Sequence, residues 1–380
     1  MKNTSVFNKK YEIGILGAGQ LGTFLADACE KHHVSSWCLF YEKDDDPGFL
    51  KYKKNSQKIS IDQKKRIQQL NQCQTIILES EFFAWDELSK VEADFLPSLD
   101  SYKHFYGKIN QRKFYSDLKL NSPNYWILSD VSDLDNINTF PLILKRNLFS
   151  YDGNGNRECK NLHELHRYAI ELGLPLLAEE KLDLESEFAV GIVANSKTGE
   201  WLNLPLIETF QKNHICHYVI GPYSLNSDLK SKLDIEIDKL KKANLHGLFA
   251  FEFFITKNQE IIINEGAARP HNSQHLTMNL CEHSQFDYLI ELALNQKKLS
   301  DVVLKSNSGA MINLLGKKNQ TNPVLSLPKI NQEYPFEVFM YGKTEGRIGR
   351  KLGHINILDL KNNKNEFTKL LDHIYEDYEL

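Results

Sequence analysis

Short apolar runs alternate with one-sided helical stretches along this chain, and their order predicts an α/β protein that opens on a parallel sheet. The run Tyr11–Leu16 leads into Gly-Ala-Gly-Gln-Leu-Gly and then a stretch to Lys31 in which Leu21, Leu25 and Ala28 recur at helical spacing. Trp37–Tyr41 and residues 75–78 read as further strands. The last of these runs into Glu79, Ser80 and Glu81, so acidic side chains fall at the carboxyl edge, where open α/β sheets bind ligands. The pattern changes near Pro97. Residues 102–118 predict one Lys-, Tyr- and Arg-rich helix, and strand-like runs at 141–144, 174–178 and 188–193 flank a Gly-Asn-rich loop over 150–156. A charged amphipathic helix over 228–244 precedes two β-rich runs, 248–255 and 260–264, and later strands fall at 311–315 and Phe336–Met340.

A chain of 380 residues has room for two or three domains. The pattern divides it into a Rossmann-like unit (1–100), a central body (101–297) and a small C-terminal unit (298–380). A net charge of −4 gives no basic field to attract nucleic acid, so none is expected as a partner. The scattered cysteines form no C-x-x-C pair and read as reduced core residues. No apolar signal core opens the chain and no window approaches a membrane span, so a cytoplasmic protein without a membrane partner is expected.

Gly17, Gly19 and Gly22 form G-x-G-x-x-G between strand and helix, with Glu42 twenty residues beyond Gly22. That pattern suits an NAD-linked oxidoreductase, and equally a tight βαβ turn in a protein that binds another mononucleotide. A sharper clue is the pair of apolar runs joined at Asn258-Gln259. If those two residues are the turn, Glu252 and Glu265, each six residues away from it, face one another. Two carboxylates at cross-strand distance repel, and a hard divalent cation relieves them; the alternative is a solvated edge pair, since one residue more or less in the turn puts one carboxylate on the other face. Arg269-Pro270-His271 follows, where Pro270 favours an extended Arg269 and offers a fixed cation and a titratable imidazole on one side. Residues 341–351 combine three glycines with four cations, good chemistry for a phosphate monoester or simply a solvated turn. Lys145, ending a strand before Tyr151-Asp152-Gly153-Asn154-Gly155-Asn156, suits nucleotide phosphates under a closing loop. His163-Glu164-Leu165-His166 is not the H-E-x-x-H pattern of a metal site and reads as part of a surface helix.

GAGQLG, ESE, YDGNGN, EEKLDLESE, FEFF, NEGAARPHNS, SQF, MINLLG and YGKTEGRIGRKLGH together resemble, in order, the motifs of the N5-carboxyaminoimidazole ribonucleotide synthetase family of the ATP-grasp superfamily. The resemblance implies an α/β and α+β ATP-grasp architecture and ATP- and bicarbonate-dependent carboxylation of 5-aminoimidazole ribonucleotide through carboxyphosphate in purine biosynthesis, by a homodimer. It implies an ATP site at Lys108, Lys145, Tyr151, Asp152, Gly153, Asn154, Gly155, Asn156, Glu179, Glu180, Lys181, Leu182, Glu187 and Gln211, with Asn264 and Glu265. Glu252 and Glu265 would hold Mg²⁺, with Mn²⁺ as the alternative ion. Arg269 and His271 would be the catalytic pair at the carboxy intermediate. Gly19, Gln20, Leu21, Glu79, Tyr151, Asn272, Ser273, Lys343 and Arg350 would bind the ribonucleotide, which leaves the glycine turn without NAD. The chain departs from the family at Ser150 and Asn154 (a glycine and a cation lost), Gln211 (a histidine), Ala268 (a proline) and Gln274 (a glycine). A divergent ligase for another phosphorylated amine and a non-catalytic nucleotide-binding paralogue are the alternative readings.

Overall fold

The computed structural model describes residues 9–148, 155–212, 215–296, 298–327, 334–360 and 364–380, with side chains in the last segment from 368 onward. Tyr151, Asp152, Gly153 and Asn154 of the glycine loop, and Ser150 before them, lie outside the described residues.

Strands β1 (Tyr11–Leu16), β2 (Trp37–Tyr41), β3 (Ser56–Lys58), β4 (Cys73–Leu78) and β5 (Asp94–Leu96) form a parallel sheet in the order β3-β2-β1-β4-β5. The winding direction reverses between β1 and β4. Gly17 and Glu79 leave the sheet side by side at that switch point, where such folds bind ligands. The helix Gln20–Lys31 starts at the glycine turn itself and buries Phe24, Leu25, Ala28 and Cys29. Its partner is the almost wholly buried helix Gln285–Ala293, with Phe24 and Phe286 ring centres 5.2 Å apart. The expected single helix over 102–118 is two, Leu99–Phe105 and Lys108–Asp117, because Gly107 adopts φ +90° and turns the chain between them.

A second, antiparallel sheet comprises β6 (Tyr125–Leu128), β7 (Leu142–Arg146), β8 (Asn156–Cys159) and β9 (Leu176–Glu180) in the order β6-β9-β7-β8. The helix Leu162–Leu172 covers it with Leu165, Ala169 and Leu172, one buried stripe at helical spacing. The third sheet gathers β10 (Leu184–Asn195), β11 (Glu200–Asn203), β12 (Ile207–Lys212), β13 (Ile215–Gly221), β14 (Gly247–Thr256) and β15 (Ile261–Ala267). It continues through β13 into β16 (Gly309–Leu315), β20 (Lys351–Leu358) and β18 (Phe336–Met340), while β17 (Gln320–Thr321) pairs with β19 (Glu345–Gly346) apart from it. The C-terminal unit is therefore welded to the central body by a shared ladder. Among the described residues, no helix is long and apolar enough to cross a membrane.

Asp287 locks the helix pair. It closes a capping box with Ser284 and receives hydrogen bonds from Lys31 (2.9 Å) and from the His32 imidazole (2.9 Å). Burial opposes its ionisation, but those partners hold its carboxyl below the usual range. Asp287→Ala is expected to lower stability by about 2–3 kcal/mol, a lost cap plus charged hydrogen bonds, while Lys31 returns to water. A denaturant midpoint within error of wild type would show the latch to be idle.

Candidate active site

The glycine turn holds a carboxylate of the chain itself. Glu79 accepts from the Gly22 amide at 2.6 Å and the Gly19 amide at 3.2 Å, and a Cβ on Gly17 (φ +115°) would lie 2.2 Å from Glu79 Cγ. The position a cofactor pyrophosphate would take at this helix N-terminus is thus filled, which argues against NAD. Burial pushes Glu79 above the ordinary carboxylate value despite the two amides. Gly19, Gln20, Leu21 and Glu79 form one end of a cavity of about 710 Å³.

The other end rests on the third sheet. Glu252 and Glu265 are cross-strand partners, as the sequence predicts, but not for the reason predicted. Ile255 pairs with Ile261 and the Thr256 amide donates to Glu260 O, so the turn has three residues, with Gln259 at φ +59°. That alone would set the two carboxylates on opposite faces. A bulge at Asn264 inserts one residue between the Ile263 and Glu265 pairings and restores the match. On β10, Ala189 pairs with Glu252 and Glu187 with Thr209 of β12, so Glu265, Glu252, Glu187 and Thr209 share one face, and all but Ala189 line the cavity.

Charge on that face is unevenly compensated. Lys108, first residue of its helix, pairs with Glu265, while Lys145 of β7 bonds Glu179 at 2.7 Å and Asn264 Oδ1 at 3.2 Å. Arg112 closes the network on Glu179 and on the Asn264 carbonyl at 2.8 Å. Burial opposes ionisation of Glu265 and Glu179, yet Lys108 and Lys145 pull the first down, and Lys145 and Arg112 the second. Burial, then Glu265 and Glu187, push Glu252 up; burial and Glu265 push Glu187 up to about 7. A buried face of oxygen donors short of positive charge fits Mg²⁺, which Glu252 and Glu265 would hold, with phosphate oxygens completing its shell.

Arg269 and His271 reach the same cavity from the loop after β15. Arg269 Nε donates to Glu81 at 2.7 Å, and His271 Nε2 stands 3.7 Å from Glu252. His271 Nδ1 lies 2.9 Å from the Ser273 hydroxyl, which can donate or accept. The Ser273 backbone N–H also donates to Nδ1, at 3.4 Å, so this nitrogen accepts and the proton of the neutral ring sits on Nε2, on the Glu252 side, which suits proton transfer there. Asn272 and Ser273 line the cavity beside them.

Of the basic segment, Lys343 and Lys351 line the cavity; Arg350 does not, and its guanidinium donates to Glu345 O at 2.8 Å. Nor is Gly349 bare, since its amide donates to Gly316 O, and Gly346 stands opposite Gln320 in the β17–β19 pair. Asn156, Glu179, Glu180, Lys181, Leu182, Glu187 and Gln211 all line the cavity, whereas Gly155 is described but does not. Gln274 lies away from the cavity, buried with both amide atoms unbonded. Sequence reasoning missed Glu81, Arg112 and Lys351. Only Glu81 and Lys351 carried a signal, as members of charged runs already singled out.

Residues 113–286 match the ATP-grasp domain and residues 309–367 the phosphoribosylaminoimidazole carboxylase C-terminal domain. A Synechococcus elongatus protein named N5-carboxyaminoimidazole ribonucleotide synthase is 29% identical over 354 residues, covering 91% of this chain and 89% of that one. The chain belongs to the N5-carboxyaminoimidazole ribonucleotide synthetase family of ATP-grasp proteins. Within the family, a Candida albicans phosphoribosylaminoimidazole carboxylase is 30% identical over 374 residues, and this chain spans 63% of that longer protein. The Staphylococcus aureus synthetase solved with ADP superposes with a TM-score of 0.82 at 22% identity, covering 97% of this chain and 99% of its own. The Aspergillus clavatus synthase, solved with ADP and 5-aminoimidazole ribonucleotide, superposes with a TM-score of 0.80 at 22% identity, covering 97% and 100%. The ATP-grasp architecture with a Rossmann-like N-terminal unit agrees with the sequence expectation.

Proposed function

We propose that this protein is an ATP-dependent carbon–nitrogen ligase that carboxylates 5-aminoimidazole ribonucleotide with bicarbonate, in purine biosynthesis in the cytoplasm and as a homodimer. The observation that carries the reading is that one cavity is lined by three sets of groups: the carboxylate face with Lys108 and Lys145, the pair Arg269 and His271, and Glu79 with Lys343 and Lys351. The first set suits Mg·ATP, the second a labile carboxy anion, the third a phosphorylated amine.

Lys145 and Lys108 neutralise the phosphates, and Glu179–Leu182 form the edge against which the base lies. Bound Mg²⁺ adds charge neutralisation on the transferring phosphoryl group. A bicarbonate oxygen attacks the γ-phosphorus as the bond to ADP breaks, and Arg269, steadied by Glu81, stabilises the carboxyphosphate anion. The amine nitrogen then bonds to the carboxy carbon, directly or after release as CO₂. The carbon–oxygen bond to phosphate breaks, and the amine proton passes through His271 to the departing phosphate.

Omitting bicarbonate or the ribonucleotide should each suppress ADP release, and the carbamate should equal the ADP formed when both are present. ADP release indifferent to both would remove this reading. Lys343→Ala is expected to weaken ribonucleotide binding by about 1.5–3 kcal/mol, the scale of a hydrogen bond to a charged group, with ATP binding unchanged. Arg350→Ala should do less, because its guanidinium lies on Glu345. Calorimetry that ranks the two variants the other way would return Arg350 to the site.

A further inference from the structure

Gln285, the middle residue of the Ser284-Gln285-Phe286 motif, does not line the cavity and has no part in the chemistry above. It is fully buried, and its amide is spent on the loop that presents His271. The His271 N–H donates to Gln285 Oε1 at 2.8 Å, and Gln285 Nε2 donates to the His271 carbonyl at 3.0 Å. We propose that Gln285 is the positioning residue for His271, gripping both backbone groups of that residue so that the imidazole leaves the chain in one direction, toward Glu252. The inference rests on the carboxylation reading for what the imidazole does, though not for the grip itself.

The backbone alone decides which way round the amide sits. Turned over, it would set carbonyl against carbonyl and N–H against N–H. In the observed orientation the second Nε2 hydrogen faces His275 Nδ1 at 2.8 Å, so that nitrogen accepts and the His275 proton sits on Nε2. His275 is fully buried, and burial, with His354, lowers its basicity enough to keep it neutral. Every hydrogen-bonding group of the Gln285 amide is therefore matched, and a side chain without them leaves buried partners unmatched.

The clamp also has a rigid base. Gln285 opens the helix Gln285–Ala293, whose start is set by the Ser284–Asp287 capping box, and its own N–H donates to Thr277 Oγ1 at 3.1 Å. Asp287 is in turn held by Lys31 and His32 of the N-terminal unit. Its partner loop needs such a hold, because β15 ends at Ala267, Pro270 has no N–H to donate, and His271 is the extended N-cap of the short turn Asn272–Leu276.

The test compares Gln285→Met, which keeps length and removes all three hydrogen bonds, with wild type. The expected result is an ATP KM within about twofold of wild type and carbamate formed per ADP lower by about 10- to 100-fold, the scale of a misplacement near 1 Å. The His271 imidazole resonances, assigned by their disappearance in His271→Asn, should shift or split in Gln285→Met. A lower thermal midpoint with the product-to-ADP ratio and those resonances unchanged would mean that Gln285 only stabilises, and would overturn the proposal. If Gln285→Met does not fold, Gln285→Asn, which withdraws the amide by one methylene, carries the same comparison. If wild type shows no bicarbonate-dependent ADP release, the carboxylation reading fails, and the resonances still decide whether Gln285 holds His271.

Discussion

His271→Asn is expected to cut carbamate formation by about 10²–10⁴-fold, the usual contribution of a positioned acid–base group, while sparing part of the bicarbonate-dependent ADP release. Asparagine keeps an N–H donor but cannot titrate, so the variant isolates proton handling from anion binding. Glu252, Glu265 and Lys145 remain to hold Mg·ATP, and carboxyphosphate still forms, but its carboxy group is lost to water more often than to the amine. Arg269→Ala differs in kind: it removes charge stabilisation before the amine is involved. It should lower ADP formation itself by about 10²–10³-fold and raise the bicarbonate requirement. Product-to-ADP ratios from both variants check the division. A wild-type ratio in His271→Asn at any residual rate would reassign His271 to packing of the loop that presents Arg269.

Glu252→Gln is expected to stabilise the ligand-free protein while abolishing its response to Mg²⁺. The folded state raises Glu252 through burial and the neighbouring Glu265 and Glu187, and raises Glu187 to about 7. An acid whose folded value is raised keeps its proton where the unfolded chain has lost it. Stability from these groups is therefore present at low pH and lost as pH rises from the ordinary glutamate value through about 7 for Glu187 and about 8 for Glu252. Removing one of the repelling charges should recover up to about 1 kcal/mol near pH 8 and flatten that decline. Mg²⁺ should restore wild type at pH 8 and do little for the variant, whose turnover should fall with its metal site. Thermal midpoints across pH, with and without Mg²⁺, measure both effects; a variant less stable than wild type at pH 8 would mean that Glu252 is compensated by contacts other than the metal.

The N-terminal βαβ pattern and the apolar strands were legible because period and punctuation are local properties. What fills the glycine turn was not, since Glu79 arrives about sixty residues later and only the parallel pairing of β1 with β4 brings it there. The Glu252–Glu265 pairing was legible through two compensating departures: a three-residue turn moves the register by one, and the Asn264 bulge moves it back. A polar residue in a β-rich run is the only sign such a bulge leaves. The helix over 102–118 broke where Gly107 takes a left-handed conformation, and a lone glycine inside a helical pattern does not by itself announce such a break. Arg350 and Lys351 were inseparable in a segment of glycines and cations, because only the start of β20 at Lys351 decides which of the two faces the cavity.

If bicarbonate is phosphorylated before the amine is carboxylated, the fate of the bicarbonate oxygens records it. When carboxyphosphate breaks between carbon and the bridging oxygen, that oxygen leaves with phosphorus. With ¹⁸O-bicarbonate, 5-aminoimidazole ribonucleotide and Mg·ATP, the inorganic phosphate released should carry one ¹⁸O atom per turnover, read by mass spectrometry. Phosphate without label, alongside carbamate formation, would mean that the carbamate forms without phosphorylation of bicarbonate.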